Sequence, residues 1–159
     1  MDRVKDVLKR VYQYLIKTMN GMAFGLFSTL IIGTIIGTFG KLLSFDRFIT
    51  LADFLKTLTG VGIGIGVAWS LKLDGLKLIG AGIAGGISSG LEFGRPGDPV
   101  VIYLTAILSI ELVGLIFRKK TPIDIIVIPL SYAIIAYFFS LFINAPVSKM
   151  MVAIGEFIT

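Results

Sequence analysis

The chain has 159 residues, of which 55% are apolar and 16% charged, against about 45–50% and about 25% in an average soluble domain. With a mean hydropathy of +0.93, its charges are too few to cover a small globule, which excludes an ordinary soluble domain and a disordered chain. The absence of Cys and His excludes disulfides, thiolate nucleophiles and phosphohistidine and removes the commonest general base and metal ligand. The net charge of +5 fits basic loops at a membrane surface better than a nucleic-acid partner.

Residues 1–20 carry Val4, Val7, Leu8, Val11 and Leu15 at spacings of three and four, interleaved with Arg3, Lys5, Lys9, Arg10 and Lys17. This pattern predicts a basic amphipathic helix, either lying on an anionic leaflet or extending the first span into solution. Residues 21–40 hold no charge and reach about 30 Å as a helix, one hydrocarbon thickness. Gly21, Gly25, Thr29, Gly33 and Gly37 recur at every fourth position, a small-residue stripe that suits close helix packing within the chain or between copies. Residues 41–56 mix charges with large apolar side chains and read as an interfacial helix. The apolar run 58–71 contains Gly60, Gly62, Gly64 and Gly66. A dinucleotide loop would need GxGxxG between a strand and a helix, so these glycines fit close helix approach or a partly unwound helix.

Lys72 to Lys77 form a short turn, and 78–91 follows with Gly80, Gly82, Gly85, Gly86 and Gly90. Its fourteen residues reach only about 21 Å as a helix, so this segment either tilts and packs tightly or re-enters, as discontinuous helices do around transporter sites. The stretch 91–99 (LEFGRPGDP) is polar and too rich in Pro and Gly for regular helix. Residues 100–117 form a span with a single charge, Glu111; Arg118, Lys119 and Lys120 follow. A last span covers 123–142, with Asp124 at its start and Pro129 inside. Asn144, Ala145 and Pro146 end it, leaving 147–158 as a short interfacial tail or truncated span. The expected fold is an all-α polytopic helical membrane protein of about five membrane segments, organised as an interfacial helix over 1–20 and one transmembrane domain over 21–159. Lys and Arg fall ten to five in favour of the side holding 1–20, 72–77 and 118–120, which places the N-terminus in the cytoplasm and the C-terminus outside.

Glu111 is the most informative side chain. A carboxylate within a span costs on the order of 3 kcal/mol, so it is expected in the protein interior near Asp98, Asp124 or the 91–99 loop. There it would accept from a substrate hydroxyl or couple to a proton, or it would make a structural link to a backbone N–H, Ser109 or Tyr132. Asp98, ahead of Pro99, suits an N-cap. Thr121 is the expected cap before Asp124. Glu92 and Arg95 complete the candidate substrate-binding set with Asp98, Glu111 and Asp124, Arg95 pairing with a carboxylate or an anionic group. Gly25, Gly33, Gly37, Gly82 and Gly86 are the candidate packing or oligomer-interface positions. No catalytic dyad, metal set or cofactor site is expected.

The segments GDPVVIYLTAILSIELVGLIFRKKTPIDIIVIPL (97–130) and NAPVSKMMVAIGEFI (144–158), with NGMAFGLFSTLIIG (20–33) and GVGIGIGVAW (60–69), carry a resemblance. Over about 20–158 the chain resembles the enzyme-IIC-like membrane domain of bacterial phosphotransferase-system permeases, and more narrowly the N-terminal half of the branch that includes perfringolysin regulators. The resemblance implies a sugar permease served by partner proteins phosphorylated on Cys or His; lacking both residues, this chain cannot carry the phosphoryl group. The expected function is a permease-type domain of the cytoplasmic membrane, not an enzyme, that moves or binds a small polar solute such as a sugar as a homodimer. The alternative is a non-transporting sensor, regulator or scaffold on the same fold.

Overall fold

The structure, a computed structural model, describes residues 1–90 and 98–159, apart from the side chains of Asn144 and Ser148. Its elements are α1 (Asp2–Leu26), a π-helical turn (Phe27–Ile31), α2 (Ile32–Leu42), α3 (Asp46–Thr57), α4 (Thr59–Ser70), α5 (Gly75–Gly90), α6 (Pro99–Ile116) and α7 (Asp124–Ile158).

The basic N-terminal stretch and the uncharged run after it are one helix. The backbone passes Asn20 without a break and continues through the π turn to Leu42. The turn has a local cause. Ser28 Oγ donates to the Phe24 carbonyl at 2.7 Å and Thr29 Oγ1 to the Gly25 carbonyl at 2.8 Å. Hydroxyls that bond back to the preceding turn compete with the α-helical N–H groups for those carbonyls. The α3–α4 junction repeats this device: Thr57 Oγ1 donates to Phe54 O and Thr59 Oγ1 to Lys56 O, and the two helices meet at a bend of 48°. The single interfacial helix expected over 41–56 is resolved into the end of α2, a turn with Ser44 at φ 52°, and α3 folded back onto α2.

Helix α4 is the centre of the bundle, packed against α1, α5 and α6. Its four alternating glycines form two interleaved pairs. Positions four apart share a helix face and positions two apart lie on opposite faces. Gly62 and Gly66 therefore meet Gly25 and Gly21 of α1, while Gly60 and Gly64 meet Gly85 and Ala81 of α5. The contacts are backbone on backbone. A Cβ on Gly66 would lie 3.0 Å from the Gly21 carbonyl carbon, and one on Gly64 would lie 2.8 Å from that of Ala81, each closer still to the oxygen. The stripe begun by Gly21 and Gly25 then changes partner, since Gly33 and Gly37 of α2 face Ala52 of α3. Gly82 and Gly86 lie against Ile65 and Val61 of α4. Gly25, Gly33, Gly37, Gly82 and Gly86, expected as packing or oligomer-interface positions, each face another helix of the chain.

Helix α7 continues through Pro129 and Pro146 to Ile158, so the stop expected at 144–146 is absent. A proline removes one N–H and crowds the preceding turn, but the apolar residues on both sides keep the helix going. Ile128, Tyr132, Ala136 and Ser140, each one turn apart, give α7 a single buried face against the bundle. By length and composition, three helical stretches among the described residues can cross a membrane: Asp2–Leu42, Pro99–Ile116 and Asp124–Ile158. The bent α3–α4 pair makes a fourth if it counts as one span. Helix α5, with 16 residues, is about 24 Å long and falls short of a hydrocarbon core.

Substituting alanine at Gly64 and Gly66 together is expected to destabilise the fold by about 1–3 kcal/mol through overpacking. Gly114→Ala and Gly155→Ala, where an added Cβ meets nothing within 4 Å, should be neutral or stabilise by up to about 1 kcal/mol through helix propensity. Unfolding of purified protein in mixed SDS and dodecyl maltoside micelles measures both.

Candidate functional site

Helix α6 carries the densest set of polar side chains inside the bundle, and it starts where the sequence places it. Asp98 is its N-cap, accepting from the Val100 N–H at 2.9 Å, with Pro99 in the first turn, where a missing N–H costs nothing. Thr105 and Ser109, four apart, share one buried face. Tyr103 and Glu111 lie on another side, toward α1.

The α1–α6 contact is polar. The Tyr14 hydroxyl donates to Glu111 Oε1. One turn further along α1, Thr18 Oγ1 is within 2.9 Å of the Tyr14 carbonyl and 2.7 Å of the buried Tyr103 hydroxyl. With the Thr18 proton on that carbonyl, Tyr103 is the donor. As the chain rises along α1 from 14 to 18 its partners descend α6 from 111 to 103, so the two helices run antiparallel. On the other face, Ser88 Oγ of α5 donates to Thr105 Oγ1 at 3.3 Å. Ser109 Oγ, the Tyr132 hydroxyl and Ser140 Oγ are buried with no hydrogen-bond partner among the described residues. Ser109 lies seven residues before the end of α6 and Tyr132 eight after the start of α7. At about 1.5 Å per residue both sit roughly 11 Å from the α6–α7 connection, so two unpartnered hydroxyls occur at one depth. Buried hydroxyls ordinarily find partners, which makes these three exceptions within the bundle.

The expected carboxylate cluster does not form among the described residues. Glu111 is exposed on the single chain rather than interior, and its partner is Tyr14, not Ser109, Tyr132 or another acid. Thirteen residues separate it from Asp98, about 20 Å along the helix, and it is only five residues from the C-terminal end of α6. Asp124 lies past that end at the start of α7. There its carboxylate accepts from the Thr121 N–H at 2.9 Å and from the Thr121 hydroxyl. Ile123, not Thr121, occupies the N-cap position, without a side-chain cap. Glu92 and Arg95 lie outside the described residues. Tyr14 and Thr18 carry no sequence signal beyond their position one turn apart on α1.

One end of the bundle collects most of the positive charge. The 72–77 turn and the 118–122 connection line a common cavity, and the antiparallel α1–α6 contact brings the cationic half of α1 to the end of α6 that leads into Arg118. Ten of the fifteen Lys and Arg residues lie on the three segments gathered there.

No curated protein and no solved structure matches the chain. The family model described as "Phosphotransferase system, EIIC" matches residues 16–159, from the second half of α1, beginning after Tyr14, through the glycine-packed core to the end of α7. That match covers most of the chain, and this chain belongs to the phosphotransferase system EIIC family.

Proposed function

We propose that this chain is the solute-handling membrane unit of a permease, moving or binding a small polar solute such as a sugar as a homo-oligomer in the cytoplasmic membrane. The observation that carries this reading is the position of Glu111. Val100, Leu104 and Leu115 are 38%, 36% and 57% exposed. With Glu111 they form one open stripe along α6, the spacings of four and seven residues keeping all four on the same side. Facing acyl chains, the carboxylate would cost on the order of 3 kcal/mol, relieved only by the Tyr14 hydroxyl. A second copy laid over the stripe removes that cost and turns the Tyr14–Glu111 pair into an acceptor and donor set inside a protein-walled space. Hydroxyl-rich solutes suit it, because a carboxylate accepts up to four hydrogen bonds and Tyr14 uses one of its acceptor sites.

The chain holds neither Cys nor His, so a phosphoryl group would have to come from a partner protein and would not rest on this one. The concentration of cations at one end supports an N-terminus in the cytoplasm. With an odd number of crossings the C-terminus then lies outside.

Three measurements check this reading. In proteoliposomes given a panel of labelled sugars and polyols, Glu111→Gln should lower uptake by about tenfold or more, the worth of one charge-assisted hydrogen bond, and Tyr14→Phe by less. Uptake that survives Glu111→Gln unchanged would refute the site. Because the chain contains no cysteine, Leu104→Cys and Leu115→Cys can be introduced singly without further change. Oxidation should give a disulfide-linked dimer for at least one of them, and monomer throughout would refute the shared stripe. Lys5→Cys should react with a membrane-impermeant maleimide only from inside and Lys149→Cys only from outside. Reaction of both from one side would overturn the proposed orientation.

A further inference from the structure

We infer that the cavity between the α4–α5 turn and the α6–α7 connection is a binding site for the phosphate headgroup of an anionic phospholipid. The cavity has a volume of about 620 Å³ and is lined by five cations, Lys72, Lys77, Arg118, Lys119 and Lys120, against two carboxylates, Asp74 and Asp124. Asp124 is engaged by the backbone and hydroxyl of Thr121, and the side chains lining the cavity carry a net excess of three positive charges. None of the five cations makes an ion pair among the described residues. Like charges gathered around one cavity repel each other, and an anion between them reverses the sign of that interaction.

The backbone adds to the field. Helices α5 and α7 both begin at the cavity, with Gly75 and Asp124 among its lining residues. The first N–H groups of α5 have no partners within the helix, whereas in α7 those of Asp124 and Ile126 already donate to the Thr121 and Ile123 carbonyls, so α7 contributes the positive end of its dipole and not free donors. The turn that holds Lys72 is itself unusual. Lys72 has φ 59° and Gly75 φ 53°, and a non-glycine residue in this left-handed region costs free energy that surrounding structure must hold in place. The result is a tight turn that sets Lys72 and Lys77 around the same space.

The phosphate could in principle belong to a lipid or to a soluble anion, and the apolar surroundings favour the lipid. Leu76 and Ile125 line the cavity beside the cations. Next to its α7 wall, Ile123, Ile125 and Ile126 are 62%, 66% and 66% exposed. A soluble phosphate has no use for an exposed apolar strip at the mouth of its site, whereas a lipid lays its acyl chains there while its headgroup meets the basic turn. Basic pockets between membrane helices hold anionic headgroups by this division of labour. The inference rests on the membrane embedding of the family and not on solute transport, and the test is read in detergent, with neither solute nor orientation involved.

The experiment is native mass spectrometry of the full chain in mild detergent with equal amounts of phosphatidylglycerol and phosphatidylcholine. Wild type should retain phosphatidylglycerol over phosphatidylcholine. The combined substitution Arg118→Gln, Lys119→Gln and Lys120→Gln should reduce that retention at least about tenfold, since each basic residue beside an anionic headgroup contributes roughly fivefold. Lys41→Gln with Arg47→Gln, in the α2–α3 region, should leave it unchanged. If the triple variant fails to fold, Lys72→Gln with Lys77→Gln carries the same comparison and the same expected loss. Equal retention of the two lipids, or equal loss in the α2–α3 control, overturns the site. A parallel calorimetric titration with inorganic phosphate separates the two sources. Phosphate binding that depends on Arg118, Lys119 and Lys120, with no preference for phosphatidylglycerol, would make this a soluble-anion site and overturn the lipid assignment.

Discussion

The arrangement of the bundle depends on how closely α4 approaches both of its principal neighbours. In lipid there is no hydrophobic gain from pressing one apolar helix against another, so association rests on van der Waals contact and short-range polar terms. Glycine maximises both by letting backbones touch. In α4 the same twelve residues do this twice, with Gly62 and Gly66 against α1 and Gly60 and Gly64 against α5. Side chains such as Ile63 and Val67, both fully buried, fill the space between the two glycine faces. A larger residue at any of these points would move a helix, and α6 and α7 would follow, because α5 contacts both. Tyr132 illustrates the dependence. Its ring lies where a side chain on Gly80 would otherwise be, so a fully buried tyrosine on α7 exists only because α5 offers bare backbone.

This close packing also explains where the polar groups are. With three helices held at backbone distance, there is little room near α4 for polar side chains, and the hydroxyls and the one carboxylate of α6 are displaced to its two flanks. One flank is bonded to α5 through Ser88 and Thr105. The other, toward α1, holds Tyr103 against Thr18 and runs out to the open stripe with Glu111. A membrane protein tolerates an exposed intramembrane acid poorly, and the partner Glu111 has among the described residues is the Tyr14 hydroxyl.

Much of this was legible in the sequence because the relevant signals are local. Uncharged runs of helical length, Asp98 ahead of Pro99, and the four-residue recurrence of glycine each follow from a few neighbouring residues. What was hidden depended on register between distant segments. The period of four from Gly21 to Gly37 looks like one stripe for one partner, yet the π turn at Phe27–Ile31 falls in its middle and rotates the second half toward α3. Glu111 called for a partner, and the sequence offered Ser109 and Tyr132 as near choices; the actual donor, Tyr14, lies 97 residues away on a stretch whose charge pattern marked it as surface. The prolines misled in a similar way. Pro146 reads as a terminator by propensity, but α7 runs through it to Ile158.

The charge distribution joins these features. Cations on three separated segments converge at one end only because α1 and α6 are antiparallel and the α4–α5 turn lies beside the α6–α7 connection. That end is also the end of α6 nearest to Glu111, five residues from the helix terminus. The acid therefore sits about 8 Å along the helix from a basic rim, so the Tyr14–Glu111 contact and the basic turns share one end of the bundle, a juxtaposition that no single segment of the sequence contains and that the antiparallel packing of α1 and α6 creates.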